Sequence, residues 1–357
     1  MKIKTKTGAM LALASAAFIG TGLAGTQSTS AQEVSWRAVS HQLPGTARFD
    51  GTVPVFAECV GAASGGRMQI QAFGGGVLLP VGETLDAVRD GIVEMGLIWA
   101  GYWAGKNPVF ALAGSRPGDP ITTFNESFYR AEKLFPIVSE AYKAEGVTSL
   151  GAFDFGPPEI LNSNVEIRSL ADFKGKRVRA GGIGATFYNT LGASAVTLTG
   201  TEIYQALQLG TVDMAEFNDW LVNKEMGFHE VTKFVIEPAM HTGAVDDKDM
   251  LVNPAAWEKL PEDLKQIVLA CRDRARFQSA IAYGIGTDRA RKEWLESGVQ
   301  IIQLPEADVA EARLIGAQVI RDFAAKNPQT AEFVRIYAEV LADLGHTEMA
   351  DLLKTGQ

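Results

Sequence analysis

Short apolar segments alternate with stretches of helical periodicity along most of the chain. Runs rich in β-branched and aromatic residues between turn residues are typical of strands. Strand and helix in alternation favour an α/β fold with mostly parallel strand pairing. We predict strands at Val34–Val39, Met68–Phe73, Val93–Trp99, Val147–Phe155, Arg177–Ala180, Val196–Thr199, Met214–Phe217, Lys233–Ile236, Met250–Asn253 and Val299–Leu304.

Two segments repeat one pattern. Residues 87–96 are AVRDGIVEMG and residues 206–215 are ALQLGTVDMA. In each, a helix end meets a glycine, Gly91 or Gly210, that fits the left-handed position after a helix. Val93 and Val212 then open a strand. The repetition indicates two related α/β lobes, or a chance similarity between two helix-to-strand turns.

The last third of the chain has a different pattern. Apolar residues recur near helical spacing from Pro261 to about Ser297. A helix of that length spans on the order of 50 Å at 1.5 Å per residue, enough to brace two lobes. Two more helices are predicted at about 306–326 and 328–344, followed by a short terminal one.

Residues 1–31 have the features of a secretory signal peptide. Lys2, Lys4 and Lys6 precede the apolar run Ala9–Ile19, and a cleavage point follows Ala31. The run is shorter than the ~20 residues that span a membrane. We therefore expect export through the inner membrane, with an N-terminal anchor helix as the alternative.

Charge and length narrow the class of protein. The chain carries 42 acidic and 33 basic residues, a net charge of −9. This balance argues against nucleic acid as a partner, because phosphates require a basic face. Roughly 325 residues after the leader exceed one ordinary core, so we expect two domains.

Cys59 and Cys271 are the only cysteines in the sequence. Both lie in largely apolar helical patterns, which favours buried free thiols. A disulfide formed in an oxidising compartment is the alternative.

Motifs that carry catalysis are missing from the sequence: it contains no HExxH, Walker loop, GxSxG or CxxC. The four histidines show no short metal-binding spacing. The segment GGIG at 181–184 precedes a predicted helix at Ala185–Leu191 but lacks the third small residue of a dinucleotide fingerprint. We interpret it as a tight turn that leaves a helix N-terminus open to an anion.

Two arginines lie just before this turn. Arg177 and Arg179 point to the same face of their strand, because side chains alternate along a strand. An arginine at the carboxyl end of a strand, beside a helix N-terminus, suits a bidentate grip on a carboxylate. From the residues alone, a surface salt bridge is the favoured alternative.

Several segments resemble one family. ADFKGKRVRAGG at 171–182 and TGTEIYQALQLGTVD at 199–213 resemble the solute receptors of tripartite ATP-independent periplasmic (TRAP) transporters. GYWAGKNPVFAL at 101–112 and AEFNDWLVNKEMGF at 215–228 resemble the subgroup that binds 2-oxo acids and related monocarboxylates. The resemblance runs from about Val34 to the C-terminal helices.

The resemblance implies a two-lobed fold with two α/β domains around a ligand cleft and a long helix bracing both. We expect lobe I at 32–152 plus about 246–282. Lobe II is then 153–245 plus about 283–357, including the C-terminal helices. Subgroup relatives form dimers through exchanged C-terminal helices, and the 328–344 segment is compatible either with that or with packing inside one chain.

The resemblance also assigns site residues. It implies that Arg179 is the carboxylate clamp and that Arg177 is structural or solvated. Glu216 and Phe217 correspond to an acid–aromatic pair that helps form the site, with Phe217 where the subgroup usually has Trp. Pro158 falls near an expected amide, so we take Glu159 as the substitute contact.

Carboxylates such as Glu159 and Glu216 would repel an anionic ligand, so we expect a cation between them and the ligand. Asp246 lies in a cluster with Asp247 and Asp249, which is either a third metal contact or a charged turn. Ca²⁺ or Na⁺ held by Glu216, Phe217 and Asp246 would reverse the local sign and bridge ligand to protein. Without a metal, the acids suit a ligand with an amine or several hydroxyls.

Three further candidates follow first-lobe strands. Tyr102 and Trp103 come after the strand of the first repeat, and His41 follows the first strand of the chain. Aromatic side chains with polar tips suit a cleft that closes on a ligand. Core packing is the alternative for Trp103.

We therefore expect a periplasmic receptor that closes on a small organic acid and docks on membrane permease subunits. Two other functions share the residues: a periplasmic lyase or hydrolase with a metal and Glu216 as base, and a sensory receptor on the same fold.

Overall fold

The computed structural model describes residues 32–242 and 247–354. The predicted signal peptide at 1–31 and the candidate metal ligand Asp246 lie outside the described residues. Within the described ranges, no helix has the length and apolar content that a membrane crossing requires.

The first sheet has the strand order β2-β1-β3-β10-β4. β1, β2 and β3 run parallel, while β10 is antiparallel to both its neighbours. The strands are β1 Val34–Ser40, β2 Met68–Phe73, β3 Met95–Ile98, β4 Thr148–Phe155 and β10 Asp247–Val252.

The second sheet has the order β11-β9-β5-β8-β6-β7, in which only β5 is antiparallel to its neighbours. Its strands are β5 Leu161–Ser163, β6 Arg177–Arg179, β7 Ser194–Val196, β8 Met214–Glu216, β9 Phe234–Glu237 and β11 Gln300–Gln303. β5 and β10 each follow a crossing between the sheets. A strand that arrives from the other lobe enters its sheet from the opposite end, which explains both antiparallel exceptions.

Helices cover both faces of the two sheets, as mostly parallel sheets require. They are α1 Ala47–Asp50, α2 Val53–Ala63, α3 Thr84–Arg89, α4 Pro108–Gly114, α5 Phe124–Ala144, α6 Gly182–Thr190, α7 Gly200–Gln208, α8 Trp220–Glu225, α9 Phe228–Val231, α10 Pro254–Lys259, α11 Glu262–Glu296, α12 Glu306–Ala324, α13 Pro328–Asp343 and α14 Thr347–Lys354. The predicted α/β architecture is confirmed.

Several predicted strand bounds are wrong for local reasons. The strand predicted at Val196–Thr199 ends at Val196, because Thr199 is the N-cap of α7 and pairs with Glu202 in a capping box. The short strand β5 was not predicted. The helix predicted to begin at Pro261 begins at Glu262, with Pro261 as its N-cap.

The long helix α11 packs on α2 and β4 of the first lobe and on α8 of the second. It therefore braces both lobes, as predicted. The two cysteines meet on this helix: Cys59 of α2 is bonded to Cys271 of α11. The interpretation as free thiols is wrong, because sequence periodicity carries no information on which two helices pack together.

The C-terminal helices pack within the chain. Phe333, Tyr337 and Leu341 of α13 and Met349 of α14 share one apolar core with Val39 of the first sheet. α13 and α14 thus contact the first sheet, and the assignment of residues 283–357 to lobe II stays a prediction.

Candidate functional site

The carboxyl ends of strands from both sheets meet at a small cavity of about 30 Å³. A single water needs ~10–15 Å³ by the same measure, so this space suits a ligand of few atoms. Its lining comes from both lobes and comprises His41, Gln42, Trp99, Tyr102, Glu159, Arg179, Glu216, Phe217, Asn218 and Lys248.

Arg179 ends β6 and lies in the cavity with 4% of its surface exposed. Its Nε and Nη2 each donate to the carbonyl of Leu198 at 3.0 Å. Its Nη1 donates to the Glu216 carbonyl at 2.6 Å and to Glu216 Oε1 at 3.2 Å. The Phe217 ring lies 5.3 Å from the guanidinium carbon. The guanidinium is thus fixed in one orientation.

Arg177 forms a surface salt bridge, which was the alternative interpretation of this pair of arginines. It is exposed, and its side chain pairs with Asp213 at 2.6 Å on the surface. The two arginines share a strand but only the second reaches the cavity.

Glu216 ends β8 beside Arg179. Its Oε1 accepts a hydrogen bond from the backbone N–H of Gly181, the N-cap of α6, at 2.7 Å. The turn that we interpreted as an anion site therefore holds an anion from the chain itself. Burial raises the pKa of the Glu216 carboxyl above its ordinary value, against the opposing charges of Arg179 and His241.

Glu159 and Glu216 meet across an imidazole that we did not predict. His241 Nε2 lies 3.1 Å from Glu159 Oε2 and 3.4 Å from Glu216 Oε2, and its Nδ1 lies 3.0 Å from the Tyr188 hydroxyl. Burial acts to raise the pKa of Glu159, but the hydrogen bond with His241 and the charge of Lys248 outweigh it and lower that pKa.

These three side chains form a candidate cation site. One ligand atom from each of Glu159, Glu216 and His241 lies within 4.8 Å of the others. His241 follows β9, whose carboxyl end lies at the same edge of the sheet as those of β6 and β8. Its position after a predicted strand of this sheet is the sequence signal that could have identified His241.

The first lobe supplies an aromatic wall. His41 Nδ1 lies 3.0 Å from the Leu97 carbonyl, which only accepts, so Nδ1 carries the proton and Nε2 accepts from the Gln42 amide at 3.1 Å. Burial lowers the pKa of His41 to about 3, so the ring is neutral. Tyr102 packs edge-on against the Trp99 ring at 5.1 Å.

Trp99, rather than Trp103, lines the cavity. Trp103 lies in the first-lobe core with 3% of its surface exposed, and its Nε1 donates to the Gly82 carbonyl at 3.0 Å. We therefore correct the prediction that Trp103 contacts the ligand. The short helical turn after β3 points the Trp103 ring into the first-lobe core. A Cβ at Gly101 would lie 2.3 Å from the Trp99 ring, so this turn requires glycine.

The start of β10 contributes a cation that the sequence did not point to. Lys248 lines the cavity and is 4% exposed, and burial lowers its pKa to about 8. Its neighbour in the predicted acidic cluster, Asp249, lies elsewhere and accepts from the Tyr142 hydroxyl at 2.8 Å.

A model of the bacterial extracellular solute-binding proteins of family 7 (DctP) matches residues 39–327. The chain belongs to this family. It is 26% identical over 333 residues to a monocarboxylate 2-oxoacid-binding periplasmic protein of Nostoc sp., covering 93% of this chain and 90% of the relative.

Solved structures share the fold of this family member. A TRAP transporter solute-binding protein of Bordetella bronchiseptica, with copurified calcium and picolinate, is similar with a TM-score of 0.80 and 22% identity, over 88% of this chain and 94% of that one. A TRAP periplasmic solute-binding protein of Pseudoalteromonas atlantica, with bound sodium and pyruvate, has a TM-score of 0.80 and 23% identity, over 91% and 100%. The two-lobed architecture is thereby established.

Proposed function

We propose that this chain is the extracytoplasmic solute receptor of a TRAP transporter and binds a small 2-oxo or 2-hydroxy monocarboxylate between its lobes. The observation that carries the proposal is Arg179, a buried guanidinium in a small cavity walled by both sheets. The name of the Nostoc relative and the picolinate and pyruvate in the similar structures support the same ligand class.

The donors of Arg179 suggest how the ligand is held. Of the five N–H donors of a guanidinium, one on Nη2 remains after the bonds to Leu198 and Glu216. A ligand carboxylate takes this donor and replaces the Glu216 side chain on Nη1, which forms a bidentate pair. Tyr102 and Lys248 face the ligand from the first lobe, so a ligand that contacts both walls favours the closed state.

A cation at Glu159, Glu216 and His241 fits the residues present. Two buried carboxylates beside an anionic ligand repel it, and a cation removes this repulsion. Ca²⁺ prefers six to eight oxygens. The two acids supply part of such a shell, and the oxo and carboxylate oxygens of the ligand add to it. His241 offers nitrogen where an all-oxygen site has a third acid, which extends the range of acceptable metals.

The remaining features belong to the same proposal. The predicted signal peptide and the family support a periplasmic receptor, whose closed form would deliver its ligand to membrane permease subunits. A homodimer is part of the proposal, as in the dimeric Bordetella structure.

Titration calorimetry on ligand-stripped protein tests the proposal. Pyruvate, 2-oxobutyrate and lactate are expected to bind, and methyl pyruvate, which lacks the carboxylate, is expected not to bind. Arg179→Lys should weaken binding because the planar fork is lost, while Arg177→Lys serves as the matched control with unchanged affinity. Binding of methyl pyruvate as tight as that of pyruvate would refute the carboxylate clamp.

Metal analysis tests the cation separately. The purified protein is expected to contain a stoichiometric cation, and chelation should weaken pyruvate binding until Ca²⁺ or Na⁺ is restored. Unchanged affinity in the stripped protein removes the cation from the proposal and leaves the role of Arg179 in place.

A metal-assisted lyase or hydrolase is the second candidate, favoured by the Glu159–His241 pair, which has the form of a general base with its orienting acid. No Ser, Thr or Cys is among the residues that line the cavity in the described part of the chain. Mass spectrometry after prolonged incubation with bound oxo acid decides: recovery of the ligand unchanged opposes an enzyme.

A further inference from the structure

A second cavity shares one residue, Glu159, with the cavity around Arg179 and is otherwise lined by different residues. Its volume is about 440 Å³, against about 30 Å³ for the first. Its wall comes from the loop between α4 and α5, the segment after β9, the end of β11, the start of α8, and the helices α11 and α12. Sites for small molecules have volumes of about 300–1,000 Å³, so this space is large enough for one.

Two short segments separate the two cavities. In each of the segments 158–160 and 240–242, the two outer residues line the second cavity. The middle residues, Glu159 and His241, bond to each other at 3.1 Å. His241 also lies 3.4 Å from Glu216, which lines the first cavity. The pair of Glu159 and His241 therefore stands between the two spaces.

Much of the wall of the second cavity is apolar. Its apolar members include Pro120, Ile160, Trp220, Pro238 and Met240. Trp220 and Met240 are buried, with 4% and 8% of their surfaces exposed. An indole ring and a thioether both pack well against flat or branched apolar groups. The wall therefore suits a ligand with an aromatic or branched apolar body.

Arg313 of α12 supplies an uncompensated positive charge to this wall. Its Nε is buried without a hydrogen-bond acceptor, and its guanidinium forms no ion pair within the described ranges. Arg291, the other arginine of the wall, pairs with Glu237 at 3.2 Å and lies over the Trp220 ring at 5.5 Å. A guanidinium presents a fork of N–H donors that matches a carboxylate. Arg313 is therefore suited to a carboxylate from outside the chain.

The acids of the wall are held by other groups or exposed to water. Glu237 has Arg291 as its partner, and Asp119 pairs with Arg130 at 2.6 Å. Asp288 is exposed, so water and salt screen its charge. None of these acids is within ion-pair distance of the Arg313 guanidinium.

We propose that this cavity is a second small-molecule site, which binds a monocarboxylate with an aromatic or branched apolar body. The carboxylate pairs with Arg313, and the body lies against Trp220 and Met240. Such a molecule is too large for the first cavity, so the two sites select different acids. The second site does not depend on the ligand proposed for Arg179.

A neighbouring cavity adjoins the second one at Arg313. Its volume is about 420 Å³, and residues 345–349 and 352 line it together with Pro120 and Arg313. In the described part of the chain, its lining contains no Phe, Tyr or Trp and includes the acid Glu348. We therefore assign the apolar body to the side of Trp220.

Phenylacetate is the probe, and titration calorimetry on ligand-stripped protein measures its binding. Phenylacetamide, which has nearly the same shape without the charge, should bind at least about tenfold more weakly, since a hydrogen bond to a charged group is lost. Arg313→Gln should lose phenylacetate to the same extent and bind pyruvate like the wild type. Arg335→Gln is the matched control, because Arg335 is exposed on α13 and lines neither cavity at Arg313.

The variant Arg179→Ala distinguishes this site from the proposed function. It should keep the wild-type affinity for phenylacetate while it loses pyruvate. Failure of the wild type to bind pyruvate would contradict the proposed function and leave the second site in place. Failure of the wild type to bind phenylacetate would do the reverse.

Two exposed threonines locate the apolar body. Thr122 lines the second cavity and Thr347 the neighbouring one. Thr122→Trp should block phenylacetate because the indole occupies the second cavity, and Thr347→Trp should leave its binding unchanged. Circular dichroism verifies that the variants fold.

Four results would overturn the second site. They are equal binding of phenylacetate and phenylacetamide, unchanged phenylacetate affinity in Arg313→Gln, its loss in Arg179→Ala, and a pattern in the threonine variants other than the expected one. Loss of phenylacetate in Arg179→Ala would mean that the probe enters the first cavity.

Discussion

Residues 87–96 of the first lobe and 206–215 of the second fold as the same unit. In both, a glycine with positive φ ends the helix, 72° at Gly91 and 65° at Gly210. In both, the valine two residues later donates back to the helix at 3.3 Å, Val93 to Ala87 and Val212 to Ala206. The repeated pattern in the sequence is therefore a repeated backbone conformation.

The likeness extends to the neighbouring strand. Glu94 accepts from the backbone N–H and the guanidinium of Arg37 on β1. Asp213 accepts from the same groups of Arg177 on β6. An acid in each repeat thus holds an arginine at the same place in each lobe.

The two lobes diverge two residues after each arginine and three residues after each acid. The positions that hold Val39 and Leu97 in the first lobe hold Arg179 and Glu216 in the second. The first pair is buried in apolar cores, and the second is an ion pair at 3.2 Å in the cavity. The backbone unit fixes where a strand ends, and the side chain at that end decides whether the place is a core or a binding site.

The largest effect on ligand binding is expected from removal of the Arg179 charge, which has no counterpart in the first lobe. Arg179→Ala should cost several kcal/mol of binding free energy, because the ligand carboxylate loses the buried guanidinium that holds it. Arg177→Ala on the same strand should bind pyruvate like the wild type. Calorimetry on the two variants side by side measures the difference, and similar affinities would contradict the assignment.

Replacing Arg179 and Glu216 by the residue types found at the equivalent first-lobe positions distinguishes their effect on ligand binding from their effect on the stability of the fold. Glu216→Leu alone should destabilise the fold by about 3–5 kcal/mol, because the buried Arg179 loses its partner. Arg179→Val with Glu216→Leu, which copies Val39 and Leu97, should recover most of that loss while binding stays abolished. Denaturant unfolding of the single and double variants measures this, and a double variant as unstable as the single one would argue against the equivalence of the lobes.

The disulfide crosslinks only the first lobe to α11. Replacing Cys59 and Cys271 by Ala should lower the free energy of unfolding by about 2–4 kcal/mol, because the unfolded chain gains freedom. Reductant should reproduce this loss in the wild type and have no effect on the variant. A wild type insensitive to reductant would indicate that the bond contributes little.

The smallest effect on stability is expected at the two equivalent surface arginines, Arg37 of the first lobe and Arg177 of the second. Arg37 and Arg177 have 44% and 48% of their side chains exposed. Arg37→Ala and Arg177→Ala should each cost less than about 1 kcal/mol of stability, as exposed ion pairs do. Thermal unfolding compares them, and a large loss in only one would show that the mirrored pairs differ in function.

Local patterns predicted most of the elements, and the family resemblance assigned the chemically central residues. Arg179 and Glu216 could be identified from the sequence because each ends a strand of a recognisable unit. Glu159 and Phe217, which the resemblance implied, line the same cavity as Tyr102 and His41, which were predicted because they follow first-lobe strands. Trp103 was misplaced because a short turn after β3 sends adjacent aromatics in different directions, and β5 was too short to carry a periodic signal.

The sequence by itself determined the alternation of strand and helix, the repeated unit, the bracing helix and the arginine at the end of β6, because each depends on neighbours along the chain. Only the tertiary structure decided that His241 stands between two acids, that Lys248 faces the cavity, that Trp99 replaces Trp103 and that Cys59 meets Cys271. These residues are brought together by the packing of whole lobes and helices, and no periodicity along the chain records which distant surfaces will meet.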